Sequence, residues 1–206
     1  HRDTAALVVG GTQGLGLAIA ERLRAEGCTR LVITGRDRAK GEAAAAAVEA
    51  TFLPVDLEDT DAVIRLVDQA ADAMGRVTAL AVAGALTDRG SILDTSPALW
   101  DRMMAANARS PFFAIQRVAQ RAIEGGHEAS VVNILSMVVH CGQSFLAPYS
   151  ASKAALANVT KNSAQALRRH RIRVNGINCG WMDTPGEDAI QRKYHGAGDD
   201  WLEKAE

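Results

Sequence analysis

Short apolar runs alternate along the chain with longer stretches in which apolar residues recur every three or four positions. The short runs predict six strands, at residues 5–9, 30–34, 51–57, 77–85, 130–137 and 172–178. The longer stretches predict helices, at residues 15–27, 37–50, 60–75, 96–126 and 150–170. Continuously apolar strands that alternate with helices are typical of a parallel sheet covered on both faces. We therefore predict an α/β fold with a doubly wound parallel sheet.

The longest predicted helix, residues 96–126, contains two residues that helix interiors disfavour. Pro111 lacks a backbone N–H, so it marks a bend or a break in the helix. Asn107 lies in the middle of the same stretch, where asparagine has a poor helix propensity. We expect either a task for the Asn107 side chain or a local distortion of the helix around it.

Composition narrows the class of protein. The 206 residues are 48% hydrophobic and show no linker, so we predict a single domain over residues 1–206 with an incomplete C-terminal end. A net charge of −1 gives no basic surface for nucleic acid, and no apolar run reaches the ~18–20 residues that span a membrane. The three cysteines and five histidines have no metal-site or disulfide spacing, which favours a reducing, cytoplasmic compartment and no bound metal.

A glycine-rich turn follows the first predicted strand, in the segment "VVGGTQGLGLAIA" at residues 8–20. Glycine permits a tight turn and lets backbone N–H groups approach a pyrophosphate, and the start of the next helix favours anions. An unliganded strand–helix turn is the alternative, but the position in the first βα unit favours nucleotide binding. The residues expected to bind it are Gly10, Thr12, Gln13, Gly14, Leu15 and Gly16.

The G-x-x-x-G-x-G spacing of this turn resembles the T-G-x-x-x-G-x-G fingerprint of the short-chain dehydrogenase/reductase family, with Val9 in place of the threonine. The resemblance extends over about residues 5–190 and implies a Rossmann-type NAD(P)-binding catalytic domain similar to 3-oxoacyl reductases. One departure lies after the fourth strand. There Val82-Ala83-Gly84-Ala85 lacks the asparagine that ties neighbouring strands together in the family.

The end of the second strand carries the residues that distinguish the two nicotinamide cofactors. An acidic side chain there binds the ribose hydroxyl of NAD, whereas an arginine accommodates the phosphate of NADP. This chain has Gly35 at the usual acidic position and Arg36 next to it, which favours NADP(H) and leaves NAD(H) possible. Asp37 either argues for NAD(H) or caps the next helix.

Asp56 and Leu57 follow the third strand. Asp56 is similar to the family residue that contacts the adenine amine, and we expect both residues at the cofactor site. Helix capping is an equally good interpretation of Asp56.

Tyr149 and Lys153 are four residues apart and would share a helix face. A neighbouring ammonium and a positively charged nicotinamide would lower the phenol pKa from its usual ~10 and permit proton transfer to a substrate oxygen. Ser136, at the end of the fifth strand, could hydrogen-bond that oxygen.

The family resemblance assigns roles to these residues. It implies a catalytic tetrad of Asn107, Ser136, Tyr149 and Lys153, in which the lysine also holds the nicotinamide ribose and the asparagine a relay water. Tyr149 and Lys153 are therefore expected to contact the cofactor as well.

The segment "INCGWMDTPG" after the sixth strand, residues 177–186, resembles the family's proline–glycine turn and the threonine that binds the nicotinamide carboxamide. Gly180 and Thr184 match that pattern, and Cys179 replaces the proline. A reactive thiol is the alternative interpretation of Cys179, although no activating base is close in the sequence.

The predicted function is an NAD(P)(H)-dependent oxidoreductase that moves a hydride between nicotinamide and a secondary alcohol or ketone, with Tyr149 as general acid/base. A sugar-nucleotide epimerase or dehydratase of the same fold and a non-catalytic NAD(P)-binding sensor are the alternatives. The resemblance also implies a homodimer or homotetramer that pairs helices at 97–124 and 150–170.

Overall fold

Six parallel strands form the centre of the computed structural model, which describes residues 1–205. They are β1 (Ala5–Val9), β2 (Arg30–Gly35), β3 (Thr51–Pro54), β4 (Ala79–Val82), β5 (Ala129–Ser136) and β6 (Ile172–Cys179). Their order in the sheet is β3-β2-β1-β4-β5-β6. The predicted doubly wound α/β fold is confirmed. β3 and β4 end earlier than predicted because Val55–Leu57 and Ala83–Ala85 leave the sheet to line a cleft at its edge.

Helices connect the strands. They are α1 (Gly14–Ala25), α2 (Arg38–Ala47), α3 (Thr60–Met74), α4 (Pro97–Met104), α5 (Ser110–Glu124), α6 (Ala147–Leu167), α7 (Pro185–His195) and α8 (Trp201–Ala205). Side chains that accept from backbone amides cap α2, α3, α4 and α7, namely Asp37, Asp59, Ser96 and Thr184. None of the helices among residues 1–205 is long and apolar enough to cross a membrane.

The longest predicted helix is continuous, but it changes its winding midway. A π-helical turn, Ala105–Arg109, joins α4 to α5 and has Asn107 at its centre. Pro111 has no N–H to donate to the carbonyl four residues back, and its ring would press on that carbonyl, which belongs to Asn107. The wider π turn relieves this conflict, so both features expected from the sequence, a distortion and a task for Asn107, occur at one place.

The core has two layers, one on each face of the sheet. On the first face, strand residues such as Leu7, Leu80 and Val131 are fully buried against α3 and α5. On the second face, Val8 and Ile33 pack against α1 and α2. Full burial of a leucine or valine contributes ~1.5–3 kcal/mol, so these layers hold the sheet rigid at the edge where the cleft opens.

The chain builds the sheet in one direction from β1 to β3 and in the other direction from β4 to β6, so the strand order reverses between the neighbours β1 and β4. Such a reversal opens a crevice at the carboxyl ends of the strands. The turn after β4 is tied to β1 by two backbone amides, those of Ala83 and Gly84, which both donate to the Val9 carbonyl at 2.9 Å. Backbone bonds thus join the strands at the segment that lacks the family's asparagine.

Candidate active site

A cleft of about 360 Å³ lies at the carboxyl edge of the sheet. All the residues that the sequence predicted to bind a cofactor line this cleft: Gly10, Thr12, Gln13, Gly14, Leu15, Gly16, Arg36, Asp56, Leu57, Tyr149, Lys153, Gly180 and Thr184. Ser136 lines it too. Asn107 does not line the cleft; it lies buried behind the wall, next to the lining residue Ala106.

The glycine turn leaves room for an anionic group. Gly10 has a φ of 80° and lies so close to Gly84 that a Cβ would collide with that backbone, and a Cβ on Gly16 would collide with the Gly10 carbonyl. The Gln13 side chain makes no capping bond to the first amides of α1. Those N–H groups are therefore free to bind a pyrophosphate, and the residues present fit a nicotinamide dinucleotide.

Lys153 is buried, with 3% of its surface exposed, and its Nζ donates to the Ile134 carbonyl at 2.8 Å. Burial lowers the pKa of Lys153 to about 8, and the neighbouring Cys179 opposes the shift. An ammonium has three donors, so this bond leaves donors for groups that enter the cleft.

Tyr149 lies in the first turn of α6, and its ring centroid is 5.8 Å from the Lys153 Nζ. Burial raises the pKa of the Tyr149 phenol, and a side-chain hydrogen bond with Ser136 partly offsets this increase. The lowering of the phenol pKa that was expected with a positively charged nicotinamide stays a prediction, and in the protein alone no lowering comes from Lys153. Its nitrogen bonds to the Ile134 carbonyl, and desolvation of the phenol is the larger effect. The protein therefore keeps Tyr149 protonated at neutral pH, as a proton donor requires.

Asn107 links the β4 loop to the first turn of α6. Its Oδ1 accepts from the Leu86 N–H at 2.7 Å, and its Nδ2 donates to the Leu86 carbonyl at 2.8 Å and to the Ser152 Oγ at 3.1 Å. Ser152 in turn donates to the Tyr149 carbonyl at 2.7 Å. Asn107 thus positions the backbone that carries Tyr149. The water relay implied for Asn107 stays a prediction.

Comparison with known proteins decides the family. A family model for short chain dehydrogenases matches residues 4–195. The chain belongs to the short-chain dehydrogenase/reductase family. Its members are NAD(P)-dependent oxidoreductases of alcohols and ketones, and this chain is such an oxidoreductase.

The similarity to individual relatives extends over most of the chain. An NADP-dependent (R)-specific alcohol dehydrogenase of Lentilactobacillus kefiri is 33% identical over 90% of this chain and 76% of its own. A sorbitol dehydrogenase of Cereibacter sphaeroides is 30% identical over 92% of this chain and 74% of its own. The crystal structure of an actinorhodin polyketide ketoreductase with NADPH superposes with a TM-score of 0.87 at 28% identity, over 98% of this chain and 78% of its own.

Asp37 and Asp56 could each cap a helix or lie at the cofactor site according to the sequence, and the structure distinguishes these interpretations. Asp37 accepts from the Lys40 N–H at 3.0 Å and caps α2, which confirms the capping interpretation. Asp56 accepts from the Glu58 N–H at 3.0 Å, whereas Asp59 caps α3. The capping interpretation of Asp56 is therefore wrong, and its carboxylate stays at the cleft wall.

The structure also adds residues that the sequence motifs did not show. Ser152 connects Asn107 to Tyr149. Glu187 lines the cleft, and it and Arg89 act on the Tyr149 phenol in opposite senses. No local spacing pointed to Arg89 and Glu187, because they lie on segments that only the fold brings together.

Proposed function

We propose that this short-chain dehydrogenase/reductase is an NADP(H)-preferring carbonyl reductase and alcohol dehydrogenase for small secondary alcohols and ketones. The observation that carries the proposal is that Tyr149 and Ser136 line the cleft of the glycine turn together with buried Lys153. A nicotinamide cofactor would supply the hydride. The chain would supply a proton donor, an oxygen-binding hydroxyl and a cation.

Each catalytic side chain has a role that follows from its surroundings. Tyr149, protonated because burial raises its pKa, would give its proton to a ketone oxygen. Ser136 would hydrogen-bond the same oxygen as it gains negative charge. Lys153, held by the Ile134 carbonyl, would bind the nicotinamide ribose and stabilise the phenolate that is left. Asn107 would act through Ser152, by fixing the α6 turn that carries Tyr149.

The preference for NADP(H) rests on Arg36. Its side chain is exposed at the cleft wall, and among residues 1–205 it makes no hydrogen bond to the protein, so its donors are free for a phosphate. The alcohol dehydrogenase relative is NADP-dependent, and the ketoreductase was crystallised with NADPH. Arg36→Asp should weaken NADPH binding ~10-fold or more relative to NADH. Arg38→Asp, on an exposed helix position, is the matched control, and equal losses in the two variants would contradict the preference.

The test of the reaction is a turnover assay with NADPH or NADH and a panel of small ketones, followed by nicotinamide absorbance. Oxidation of NADPH that depends on the ketone supports the proposal. Cofactor binding without turnover on any carbonyl would contradict it and favour a sensor. The cytoplasmic location predicted from composition is not tested by this assay and stays a prediction.

We also propose that the protein forms a homodimer or homotetramer through α4 and α5. Trp100, Phe112 and Ile123 expose 43%, 41% and 45% of their surfaces on these two helices, and a second copy that covers them would bury this apolar surface. Phe112→Asp should lower the mass measured by light scattering after size exclusion. A monomer mass for the wild-type protein as well as for Phe112→Asp would contradict the proposal.

A further inference from the structure

Helix α7 lies across the mouth of the cleft and is tied down at both ends. At its N-terminus, the cap residue Thr184 packs against Gly14 of the glycine turn. At its C-terminus, the Tyr194 hydroxyl donates to Asp88 Oδ1 at 2.7 Å, and Arg89 Nε donates to His195 Nε2 at 3.4 Å. Residues on the first turn of α7 are therefore held over the part of the cleft that contains Tyr149.

Glu187 is the charged residue of that first turn that lines the cleft. Its Oε1 accepts from the Nε2 of the buried residue Gln191 at 2.7 Å, which fixes the orientation of the carboxylate. Within residues 1–205 its Oε2 accepts no hydrogen bond from the protein. The Glu187 side chain is only 22% exposed. One oxygen of a largely buried carboxylate is thus left for a ligand.

Arg89 opposes this carboxylate. Its NH2 nitrogen lies 4.0 Å from Glu187 Oε1, and its hydrogen bonds go to the Thr87 carbonyl at 3.1 Å and to His195 Nε2. Phe145 lies against the guanidinium at 5.4 Å. The pair acts on the proton donor of the site, because Glu187 raises and Arg89 lowers the pKa of Tyr149. Glu187 therefore belongs to the substrate end of the cleft, and Arg89 lies next to it without lining the cleft.

The chemistry of this pair selects among ligand groups. A substrate carboxylate would meet the charge of Glu187, and a substrate ammonium would meet that of Arg89. An apolar group would bury the free Glu187 oxygen without a partner, which costs ~1–3 kcal/mol or more for a charged group. A hydroxyl group can donate to the free Glu187 oxygen, and it carries no charge that either residue repels.

We propose that Glu187, oriented by Gln191 and opposed by Arg89, binds a hydroxyl group of the substrate. The substrates are then hydroxylated ketones and the corresponding diols or polyols. This inference rests on the proposed function, because it names the substrate class of the same site. Glu187 is a specificity residue, and the proton transfer stays with Tyr149.

The test compares size-matched ketones in which a methyl group replaces the hydroxyl. Hydroxyacetone is paired with butanone, and 4-hydroxy-2-butanone with 2-pentanone, each with NADPH at neutral pH, where Tyr149 is protonated in every variant. The wild-type kcat/KM should favour at least one hydroxyketone by ~10-fold or more, because a site built to bond a hydroxyl rejects the analogue without it. In Glu187→Gln that ratio should fall toward one. In Gln191→Leu, where the carboxylate remains but loses its orienting bond, the ratio should fall part of the way.

Glu21→Gln, at an exposed position of α1, is the matched control and should keep the wild-type ratio. The conservative variant Glu187→Asp should restore part of the preference lost in Glu187→Gln. A wild-type preference for the plain ketones, or the same ratio in wild type and Glu187→Gln, would overturn the inference while the proposed reaction stands. If no ketone in the larger panel is reduced, the proposed function itself fails, and the two failures are thus distinguishable.

Discussion

The floor of the active site, formed by Asn107, Ser152 and Lys153, and its lid, helix α7, use hydrogen bonds in different ways. In the floor, the buried side chains of Asn107 and Lys153 bond to backbone groups of neighbouring segments, and Ser152 bonds to a backbone carbonyl of its own helix. In the lid, α7 is held by bonds between side chains, such as Tyr194 with Asp88. Backbone acceptors are present in any sequence with this fold, whereas a side-chain partner depends on the residue at its own position. The floor can therefore stay constant while the lid varies with the substrate.

The two regions also differ in energy. An orphaned polar group in the buried floor costs about 1–3 kcal/mol, while an exposed ion pair of the lid, such as Arg192 with Asp188, contributes ~0–1 kcal/mol. We expect changes in the floor to alter stability and chemistry together. Changes in the lid should alter the choice of substrate with little effect on folding.

The largest expected effect in the floor is that of Lys153→Met. Turnover should fall ~100-fold or more because the phenol and the ribose lose their cation. The same change should stabilise the fold at neutral pH by about 1–2 kcal/mol, since a buried ammonium is replaced by an apolar chain and only the bond to Ile134 is lost. Urea unfolding measures the second effect, and a destabilised variant would contradict the burial cost.

The pH dependence of stability gives a second measurement on Lys153. Its folded pKa of about 8 lies below the usual 10.5, so the unfolded chain binds more protons between these values and the free energy of unfolding rises with pH there. Below about pH 8 Lys153 is protonated in both the folded and the unfolded chain, so it adds no pH dependence to the free energy of unfolding. Lys153→Met should lack the rise. The free energy of unfolding is measured at pH 7 and pH 9.5, and equal changes in the two proteins would contradict the shifted pKa of Lys153.

Asn107→Leu is the next largest change. It leaves the Leu86 N–H and carbonyl without their partner and frees Ser152, so the free energy of unfolding should fall by about 2–4 kcal/mol. Asn162→Leu, at an exposed position of α6, should change it by less than ~0.5 kcal/mol. Equal effects of the two substitutions in chemical denaturation would show that the buried network is not what holds the floor.

A smaller effect is expected from Tyr194→Phe in the lid, which removes the bond to Asp88 Oδ1. KM for the ketone should rise ~3–10-fold, while kcat and the free energy of unfolding change little, because only the position of α7 is loosened. Steady-state kinetics and thermal unfolding check this. A large loss of stability would place Tyr194 among the residues that hold the fold.

The smallest expected effect concerns pH. Glu187 raises the pKa of Tyr149, against the opposing effect of Arg89 and the Ser136 hydrogen bond. In Glu187→Gln the phenol should lose its proton at a lower pH, so the alkaline limb of ketone reduction should shift toward lower pH by less than about one unit. Arg89→Met should shift it the other way. Shifts of the same sign in both variants would contradict this pairing of charges.

The comparison of floor and lid also explains what the sequence could predict. Gly10, Gly14 and Gly16, and the four-residue spacing of Tyr149 and Lys153, encode local geometry, so their shared cleft could be predicted from patterns. The six strands were predictable for the same reason, although β3 and β4 end earlier than predicted. The sequence around Pro111 and Asn107 predicted a distortion without its form, and the structure shows that it is a π turn.

Other features depend on the folded environment. The rise of the Tyr149 pKa in the protein alone could not be predicted from the sequence, because burial is a property of the tertiary structure. The contact between Arg89 and His195 joins residues 106 positions apart, and no periodicity relates them. The lid is therefore the part of the site that sequence patterns reveal least.

The most direct test of the account is Tyr149→Phe, which removes one oxygen and keeps the ring in its buried place. The rate of ketone-dependent NADPH oxidation should fall ~100- to 10,000-fold, while NADPH binding, measured by fluorescence, and the free energy of unfolding stay close to wild type. That combination would identify the phenol as the proton donor. A variant that binds NADPH and reduces the ketone at the wild-type rate would contradict the central claim.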